Sequence, residues 1–483
     1  MAISLDLIIR SRNITLLTNT LLLAAGVLVA TLLISLPLAW ITTRTTMSGK
    51  KALTLLCVMP LAIPGYVMAY ALLGFTGIGG TLDQLFGIEL PRISGYWGSL
   101  LAISLYTFPY LFLNMRSGLL GLDPSLEEVS RSLGYKPHQV FYRVILPQLR
   151  PALFAGALII GLYVLGDFGA VSLMRFETFS YAIYLQYAAS YDRVYAAWLA
   201  LMLFGITLTV LIIEYRLLRG LFFSRTGSGN QRLARPVSLG KWKYPSFLYI
   251  GIVLMASIIL PLLTIFHWIG QIQGPLFGSG LMAALGSSLS ASAPAALLTT
   301  TLAVPIAYIS VRCPSKVTQA LERVSYLGYA TPPLALALAL IFFTLSASPF
   351  LYQTLVLLII AYTLHFLAEA VGPVRSALYQ ASPRLEEAAR SLGYNRFLAF
   401  FKSTFPLMRG GLIAAAAFVF LSAMKELPIT FLLAPIGFET LAVNVWSYSA
   451  EAMFAQAAPY ALTILVFSSL FVGLLFAKEW KRS

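Results

Sequence analysis

The segment Leu126–Tyr135, LEEVSRSLGY, recurs almost unchanged as LEEAARSLGY at Leu385–Tyr394. Eight of the ten positions are identical, and both copies lie in polar stretches between long apolar runs. The same spacing of 259 residues relates Pro147 to Pro406. A polar segment repeated this closely in an apolar chain predicts two docking sites for two copies of one partner.

The composition is that of a polytopic membrane protein. Of the 483 residues, 59% are hydrophobic and 11% are charged, and the mean hydropathy is +0.83. Runs of 18 or more apolar residues recur along the chain, which a soluble fold could not bury. The net charge of +15 comes from short Lys- and Arg-bearing segments between these runs, so cytoplasmic loops explain it better than nucleic-acid binding.

The sequence shows neither a disulfide framework nor a cleavable leader. Cys57 lies in an apolar run and Cys313 lies in a short basic loop, so no metal cluster is indicated either. No A-x-A-like cleavage site follows an early apolar stretch, and no signal peptide is therefore expected.

Eleven transmembrane helices are predicted, five in the first half of the chain and six in the second. Each has about 20 residues or more, enough to cross a hydrocarbon core of about 30 Å. The basic segments alternate with loops poor in Lys and Arg, which places those segments and the C-terminus in the cytoplasm. The predicted spans are 19–42, 52–74, 95–115, 148–174, 195–218, 246–268, 283–311, 325–346, 351–373, 408–433 and 456–477.

The two halves are homologous and point the same way. Pro37 and Pro305, like Pro64 and Pro332, are separated by 268 residues. Inverted repeats would instead place the two LEE segments on opposite sides of the membrane. We therefore predict an all-α protein with two parallel-repeat halves, namely 1–218 and 246–483, joined by a Gly-, Ser- and Arg-rich cytoplasmic linker at 219–245.

The start of the chain departs from this symmetry. The second half has a span at 246–268 before its repeated block, whereas the first half has only Met1–Thr18, with Arg10 and Arg12 on the outer side. Three interpretations stay open: a missing or atypical first helix, which we favour, a start that lies upstream, or a segment along the membrane surface.

Each repeated segment is predicted to form a short amphipathic helix followed by a turn and a second basic helix. Asp123-Pro124 and Ser382-Pro383 can cap and start the helices, and a Gly ends each of them. The apolar positions fall on one stripe, which suits a helix lying along the membrane and entering a groove on a partner. The stripe residues are Leu126, Val129 and Leu133, and Leu385, Ala388 and Leu392.

This pattern resembles the coupling-helix signature of ABC importer permeases, so a type I importer fold is implied. The second copy fits the signature well, whereas the first departs from it at Val129 and Ser130. The resemblance implies that the coupling positions are Glu127, Glu128, Val129, Gly134, Pro147, Glu386, Glu387, Ala388, Ala389, Gly393 and Pro406.

The chain is similar in particular to fused ferric-iron permeases of that superfamily. The similarity rests on the duplicated layout from about residue 19, and on DFG at 167–169, KELPITFLL at 425–433, GFETLAVNVW at 437–446 and FETFSYAIY at 176–184. Fused permeases for thiamine, polyamines or phosphonates share this architecture and stay open as alternatives.

The resemblance implies a transport subunit of the bacterial cytoplasmic membrane. Two copies of an ATPase subunit, carrying ATP and Mg²⁺, would grip the two coupling helices, and an extracytoplasmic binding protein would deliver the substrate. The sequence agrees, because its Gly-Lys pairs at 49–50 and 240–241 lack the rest of a phosphate-binding loop. No catalytic residue, resident cofactor or nucleic-acid partner is predicted.

Three charged residues within apolar runs are candidates for the translocation pathway or its gate. Asp167 and the pair Lys425–Glu426 occupy matching positions, and buried charge in a membrane helix indicates function by default. Two alternatives stay open: Lys425 neutralises Asp167 or Glu426 and merely holds the halves together, or these charges take an interfacial position. Carboxylates suit a hard trivalent cation as cargo, but no metal site is assigned.

Two weaker candidates remain. Glu177 and Glu439 recur in FET motifs of outer loops, where they could dock a binding protein or receive the cation. A solvated loop charge or a helix cap is the interpretation that we favour for both. His365 and Glu369 stand one helical turn apart and could share a ligand, but we favour a structural pair. An ion-coupled secondary transporter is the alternative of another class, although it would leave the paired LEE segments unexplained.

Overall fold

The computed structural model describes residues 10–218, 236–272 and 275–480, and its elements there are helical apart from one isolated bridge between Thr45 and Val237. The α-helices are Ser11–Arg44, Lys50–Val58, Gly65–Phe75, Thr81–Phe86, Gly95–Gly121, Pro124–Ser132, Pro137–Val140, Leu146–Gln148, Arg150–Gly166, Gly169–Leu173, Phe179–Tyr184, Arg193–Leu218, Lys243–Leu254, Leu260–Ile269, Ser279–Arg312, Lys316–Ala330, Pro333–Ala347, Leu355–Gln380, Pro383–Ser391, Arg396–Ala399, Phe405–Met424, Pro428–Leu433, Leu441–Ala450 and Phe454–Trp480. Segments with π-helical bonding are Phe141–Ile145, Leu185–Ala189, Met255–Ile259 and Phe400–Thr404, and 3₁₀ turns are Met59–Ala62, Gly240–Trp242 and Pro349–Leu351.

The predicted all-helical membrane fold is confirmed. Within the described ranges, seven helices are long and apolar enough to cross a membrane, and up to ten spans result if each of three bent pairs counts as one. The shorter apolar stretch Phe454–Leu470 corresponds to the last predicted span. Each of the eleven predicted spans therefore matches one helix, one bent pair or this stretch.

Proline explains the sharpest bends. The chain turns by 92° between Lys50–Ala62 and Gly65–Phe75, and by 104° between Lys316–Ala330 and Pro333–Ala347. At each bend the residue before a proline is extended, because the proline ring excludes the helical conformation there. The two prolines are Pro64 and Pro332, so the bends repeat with the same 268-residue spacing.

The chain forms two compact units, and their residue ranges do not coincide with the two halves of the sequence. The first unit takes its described residues from Met1–Tyr191, Gly205–Gln271 and Val472–Ser483, and the second takes them from Asp192–Phe204 and Ile272–Phe471. The helical stretch after the linker therefore belongs to the first unit, where Trp268 Nε1 donates to the Gly74 carbonyl at 3.1 Å. The division into homologous halves stays a prediction, and linker residues 219–235, with their GSG run, lie outside the described residues.

Each unit is built around one long helix, which we call its leading helix: Ser11–Arg44 in the first unit and Ser279–Arg312 in the second. Both helices carry Ala, Ser and Thr residues on their buried side, and these small side chains let neighbouring helices approach closely. Ser35, for example, donates to the Phe108 carbonyl at 2.8 Å. The buried Ala, Ser and Thr residues of the second leading helix are Ala284, Ser288, Ala291, Ser292, Ala295, Ala296, Thr299, Thr300, Ala303 and Ala307.

The leading helix of the first unit also answers part of the question about the start of the chain. Ser11–Thr18 continues this helix without a break, so these residues do not form a separate surface segment. Met1–Ile9 lies outside the described residues.

Candidate functional site

The two repeated segments form the predicted helices, which we call the first repeat helix (Pro124–Ser132) and the second repeat helix (Pro383–Ser391). Asp123 caps the first, because its Oδ1 accepts from the Ser125 backbone N–H at 2.9 Å. This hydrogen bond lowers the pKa of the Asp123 carboxyl. Ser382 stands at the same place before the second helix but makes no side-chain cap, so its predicted capping role is wrong.

The turn that ends each repeat helix is the same in both copies. Gly134 has φ of +86° and Gly393 has φ of +90°, a conformation that side chains with a Cβ rarely adopt. The Gly134 N–H donates to the Arg131 carbonyl at 3.0 Å, and the Tyr135 N–H donates to the Ser130 carbonyl at 3.2 Å. The second copy repeats both bonds, so each glycine closes its helix with a Schellman motif.

The coupling positions of each repeat helix lie on two faces, an outer face that is open to solvent and an inner face that packs against the rest of the protein. On the outer face, Glu128 and Glu387 are exposed, and so are the apolar residues Leu133, at 73%, and Leu392, at 80%. On the inner face, Glu127 and Glu386 are turned inward. Large apolar side chains left open outside the apolar spans indicate a surface that another protein covers.

An arginine of the first leading helix holds the inner face of the first repeat helix. Arg44 Nη1 lies 2.9 Å from Glu127 Oε1, and the two side chains are only 5% and 12% exposed. Arg44 Nη2 also donates to the Leu119 carbonyl at 2.9 Å, near the end of the helix Gly95–Gly121. The guanidinium thus connects three elements, because its several donors lie in one fixed plane.

The second unit repeats this arrangement with more donors. Arg312 Nη2 lies 3.6 Å from Glu386 Oε1 and donates to the Ala381 carbonyl at 2.7 Å. The Tyr308 hydroxyl donates to Glu386 Oε2 at 2.7 Å, and the Thr404 hydroxyl donates to Glu386 Oε1 at 2.6 Å.

Sequence reasoning missed both arginines. A signal was present, because Arg44 and Arg312 are 268 residues apart, the same spacing that relates the prolines of the leading helices.

A short segment rich in aromatic residues follows each repeat helix, at 135–145 in the first copy and at 394–404 in the second. The Arg143 guanidinium lies 5.8 Å from the centre of the Tyr135 ring, and Lys402 Nζ lies 4.3 Å from that of Tyr394. These cation–π contacts stand at equivalent positions of the two copies and brace each segment against its turn.

The two copies differ where this segment joins the next long helix. In the first copy the chain bends by 60° between Pro137–Gln148, which contains Pro147, and Arg150–Gly166. In the second copy Arg396–Met424, which contains Pro406, continues as one span. Pro151 accounts for the bend, because it removes a backbone donor where the second copy has Gly410.

Asp167 lies at a break between two helices rather than inside one, which corrects the sequence prediction. The helix Arg150–Gly166 ends just before it, and the helix Gly169–Leu173 begins just after it. Its Oδ1 accepts from the N–H groups of Ala170 at 2.9 Å and Val171 at 3.2 Å, so the carboxylate caps the second helix. Its Oδ2 accepts from the Tyr106 hydroxyl at 3.1 Å.

A glycine makes this contact possible. A Cβ placed on Gly65 would lie 2.8 Å from Asp167 Oδ2 and 2.8 Å from Tyr106 Cε1. The Tyr106–Asp167 pair is therefore packed directly against the bend at Pro64.

Lys425 and Glu426 occupy the corresponding break of the second unit, again not the interior of a helix. The helix Phe405–Met424 ends before them and Pro428–Leu433 follows, since Pro428 favours a helix start. Glu426 Oε1 accepts from the Ile429 N–H at 3.0 Å, which repeats the capping role of Asp167.

Lys425 interacts electrostatically with Glu369, the residue that was predicted to pair with His365. Lys425 lies close enough to Glu369 for an electrostatic interaction, and Ser422 is within hydrogen-bonding reach of the same carboxyl group. His365, the supposed partner of Glu369, instead contacts the Gly328 carbonyl through Nδ1 at 3.0 Å. The predicted His365–Glu369 pair is therefore wrong, and each residue has its own partner.

The two FET motifs lie in exposed loops before short helices. Glu177 is 3.5 Å from Arg12 Nη2, with both side chains about half exposed, and Glu439 is exposed at the surface. Within the described residues, no group of three or more His, Cys, Asp or Glu side chains lies close enough together to hold a metal ion.

A duplicated bundle of apolar helices, with an exposed repeat helix in each copy, is typical of polytopic transport subunits. The chain belongs to the family described as binding-protein-dependent transport system inner membrane component, which matches residues 35–225 and 299–478. It is therefore a permease subunit of an ABC transport system and not an enzyme.

Three relatives show where in this family the similarity lies. The Fe(3+)-transport system permease protein FbpB 2 of Haemophilus influenzae is 34% identical over 98% of this chain and 91% of its own. The ferric transport system permease protein FbpB of Actinobacillus pleuropneumoniae is 26% identical over 84% of this chain and 63% of its own. The molybdenum transport system permease protein ModB of Escherichia coli is 34% identical over only 27% of this chain and 58% of its own.

Proposed function

We propose that this chain is the membrane-spanning subunit of an importer that moves ferric iron into the cytoplasm. The observation that carries the proposal is the 34% identity to a ferric-transport permease along 98% of the chain. Family membership argues against the ion-coupled secondary transporter. The distribution of Lys and Arg supports a cytoplasmic C-terminus.

Two ATPase subunits would drive transport, one on each repeat helix. The exposed leucines and the outward glutamates Glu128 and Glu387 offer two nearly identical surfaces, which suits two copies of one partner. ATP and Mg²⁺ would be held by those subunits, and this chain would contribute no cofactor of its own.

The carboxylates at the two helix breaks would line the path of the ion. Asp167 and Glu426 are half-buried in equivalent positions, and carboxylate oxygens suit a hard trivalent cation. Lys425 would balance the negative charge near Glu369 and Glu426 while no cargo is present. Charged groups at this depth are costly to keep, which favours a role in transport.

The exposed loop glutamates Glu177 and Glu439 would contribute to the surface that receives an extracytoplasmic binding protein. Both follow a phenylalanine in the FET motif, so the two copies would present similar features to the two lobes of such a partner.

Reconstitution tests this function directly. Proteoliposomes that contain this chain and its ATPase subunit are supplied outside with the binding protein loaded with radioactive Fe³⁺, and ATP is enclosed inside. We expect uptake that requires both ATP and the binding protein. Equal uptake without ATP would overturn the proposal, and ATP-dependent uptake of molybdate or thiamine in place of iron would reassign the substrate.

A further inference from the structure

The repeat helices have almost no apolar anchorage of their own. Each has nine residues, and only Ser130 is buried in the first, whereas none is buried in the second. An isolated helix of this length is marginal in water, so its position depends on a few specific contacts. The contacts that hold these helices in place therefore determine the position of any partner that binds them.

We propose that Arg44 and Arg312 are positioning residues that fix each repeat helix to the leading helix of its own unit, and that only the first repeat helix depends on its arginine alone. We call each arrangement a clamp. The proposed binding of ATPase subunits gives the clamps their purpose, so this inference rests on the proposed function.

Each leading helix makes a second contact, with the segment that follows its repeat helix. One helical turn before Arg44, the Trp40 ring meets Phe141 edge-on, with 5.3 Å between ring centres. One turn before Arg312, Tyr308 meets Phe400 in the same way at 5.2 Å. The arginine contacts the repeat helix, and the aromatic residue contacts the segment after it. A shift of the leading helix would therefore move the repeat helix and that segment together.

The two clamps differ in how many side chains hold the glutamate. Glu386 forms an ion pair with Arg312 and accepts hydrogen bonds from the Tyr308 and Thr404 hydroxyl groups. The described side-chain contact of Glu127 is the ion pair with Arg44. The difference comes from two substitutions between the copies, because Trp40 stands in place of Tyr308 and Ile145 in place of Thr404. The Ile145 side chain has no donor group, and the described contacts of Trp40 include no hydrogen bond from its indole N–H to Glu127.

Loss of each arginine should therefore have unequal effects. Arg44→Gln leaves the Glu127 side chain, which is only 12% exposed, without its ionic partner, so the first repeat helix loses its anchor. Arg312→Gln leaves two hydroxyl donors on Glu386, so the second repeat helix stays in place. Adding Trp40→Tyr and Ile145→Thr to Arg44→Gln would supply to Glu127 the donors that Glu386 has.

Hydrogen exchange on the full chain in lipid nanodiscs tests the clamps without any partner. We expect residues 126–134 to exchange about tenfold faster in Arg44→Gln, because Glu127 loses the charged partner of its ion pair. Residues 385–393 should change less in Arg312→Gln, and the triple variant should recover most of the lost protection. Unchanged exchange in Arg44→Gln, or equal losses in both single variants, would overturn the proposal.

A second variant guards against general misfolding. Glu127→Gln keeps the side-chain length and an acceptor oxygen, so we expect faster exchange confined to residues 126–134, with the remaining peptides unchanged. Acceleration spread over the whole first unit would mean that the clamp supports the fold rather than the position of the helix, and would overturn the positioning role.

A further experiment uses the assembled transporter and measures how much iron is imported for each ATP hydrolysed. In Arg44→Gln we expect less iron imported per ATP hydrolysed, with the ATPase subunits still bound, whereas Arg312→Gln should stay near the original ratio. An unchanged ratio in both would overturn the positioning role in transport. If the unaltered chain binds no ATPase subunit, the proposed function fails, but the exchange experiment still decides whether the clamps exist.

Discussion

Gly65 controls how closely two polar side chains approach each other at the first helix break. Its missing Cβ leaves room for Asp167 and Tyr106, both of which lie 2.8 Å from the place that a Cβ would take. Contacts this short force one side chain to move.

We expect Gly65→Ala to displace the Tyr106–Asp167 hydrogen bond and to lower iron uptake at least severalfold at an unchanged amount of protein in the membrane. Gly161→Ala is the matched control, because a Cβ there has no neighbour within 4 Å. Radioactive iron uptake normalised to membrane level is the measurement. Equal uptake in both variants would mean that the Asp167 contact has no part in transport.

The capping carboxylates allow a second test at this scale. In the double variant Asp167→Asn with Glu426→Gln, each amide oxygen can still accept the backbone N–H bonds that cap the next helix. We therefore expect normal assembly but strongly reduced uptake, because the charge for a trivalent ion is gone. Full uptake would leave these residues with a structural role only.

At the scale of single elements, the turns after the repeat helices depend on glycine. A side chain at a φ of +86° or +90° costs about 1 kcal/mol, although asparagine tolerates this conformation better than alanine.

We expect Gly134→Ala and Gly393→Ala to raise amide exchange of their own repeat helix about fivefold, with the Asn variants in between. Gly121→Ala is a suitable control, since it ends a regular helix and has no neighbour within 4 Å of the added Cβ. The order Gly, Asn, Ala in protection is what hydrogen exchange should show. An Ala variant as protected as the original chain would contradict the αL requirement.

At the scale of the whole molecule, the duplication predicts the stoichiometry of the complex. The outward residues Glu128 and Glu387 stand at equivalent places on two separate helices, so each charge reversal should affect one ATPase subunit.

We expect the purified chain to carry about two ATPase subunits, each single variant Glu128→Arg or Glu387→Arg to carry fewer, and the double variant to carry none. Mass measurement of the complex in detergent without nucleotide gives the count. The double variant Glu89→Arg with Glu451→Arg, which reverses two exposed glutamates outside the repeat helices, serves as the control. Retention of both subunits after the double reversal on the repeat helices would contradict their docking role.

The sequence alone determined the architecture, because it is encoded in local patterns. Apolar runs of about 20 residues define membrane helices whatever their neighbours are, and a repeat of eight identical positions in ten reveals a duplication without any coordinates. The repeat helices were predictable for the same reason, since a capping residue, an apolar stripe and a closing glycine all lie within a dozen residues.

Only the tertiary structure decided which side chains meet. It turned Glu127 and Glu386 inward onto Arg44 and Arg312, which are far away in sequence, and left Glu128 and Glu387 outside. It also placed Asp167 and Glu426 at helix breaks and brought the helical stretch after the linker into the first unit. Contacts between distant segments depend on how helices pack and where prolines bend them, and helical periodicity carries no record of that geometry.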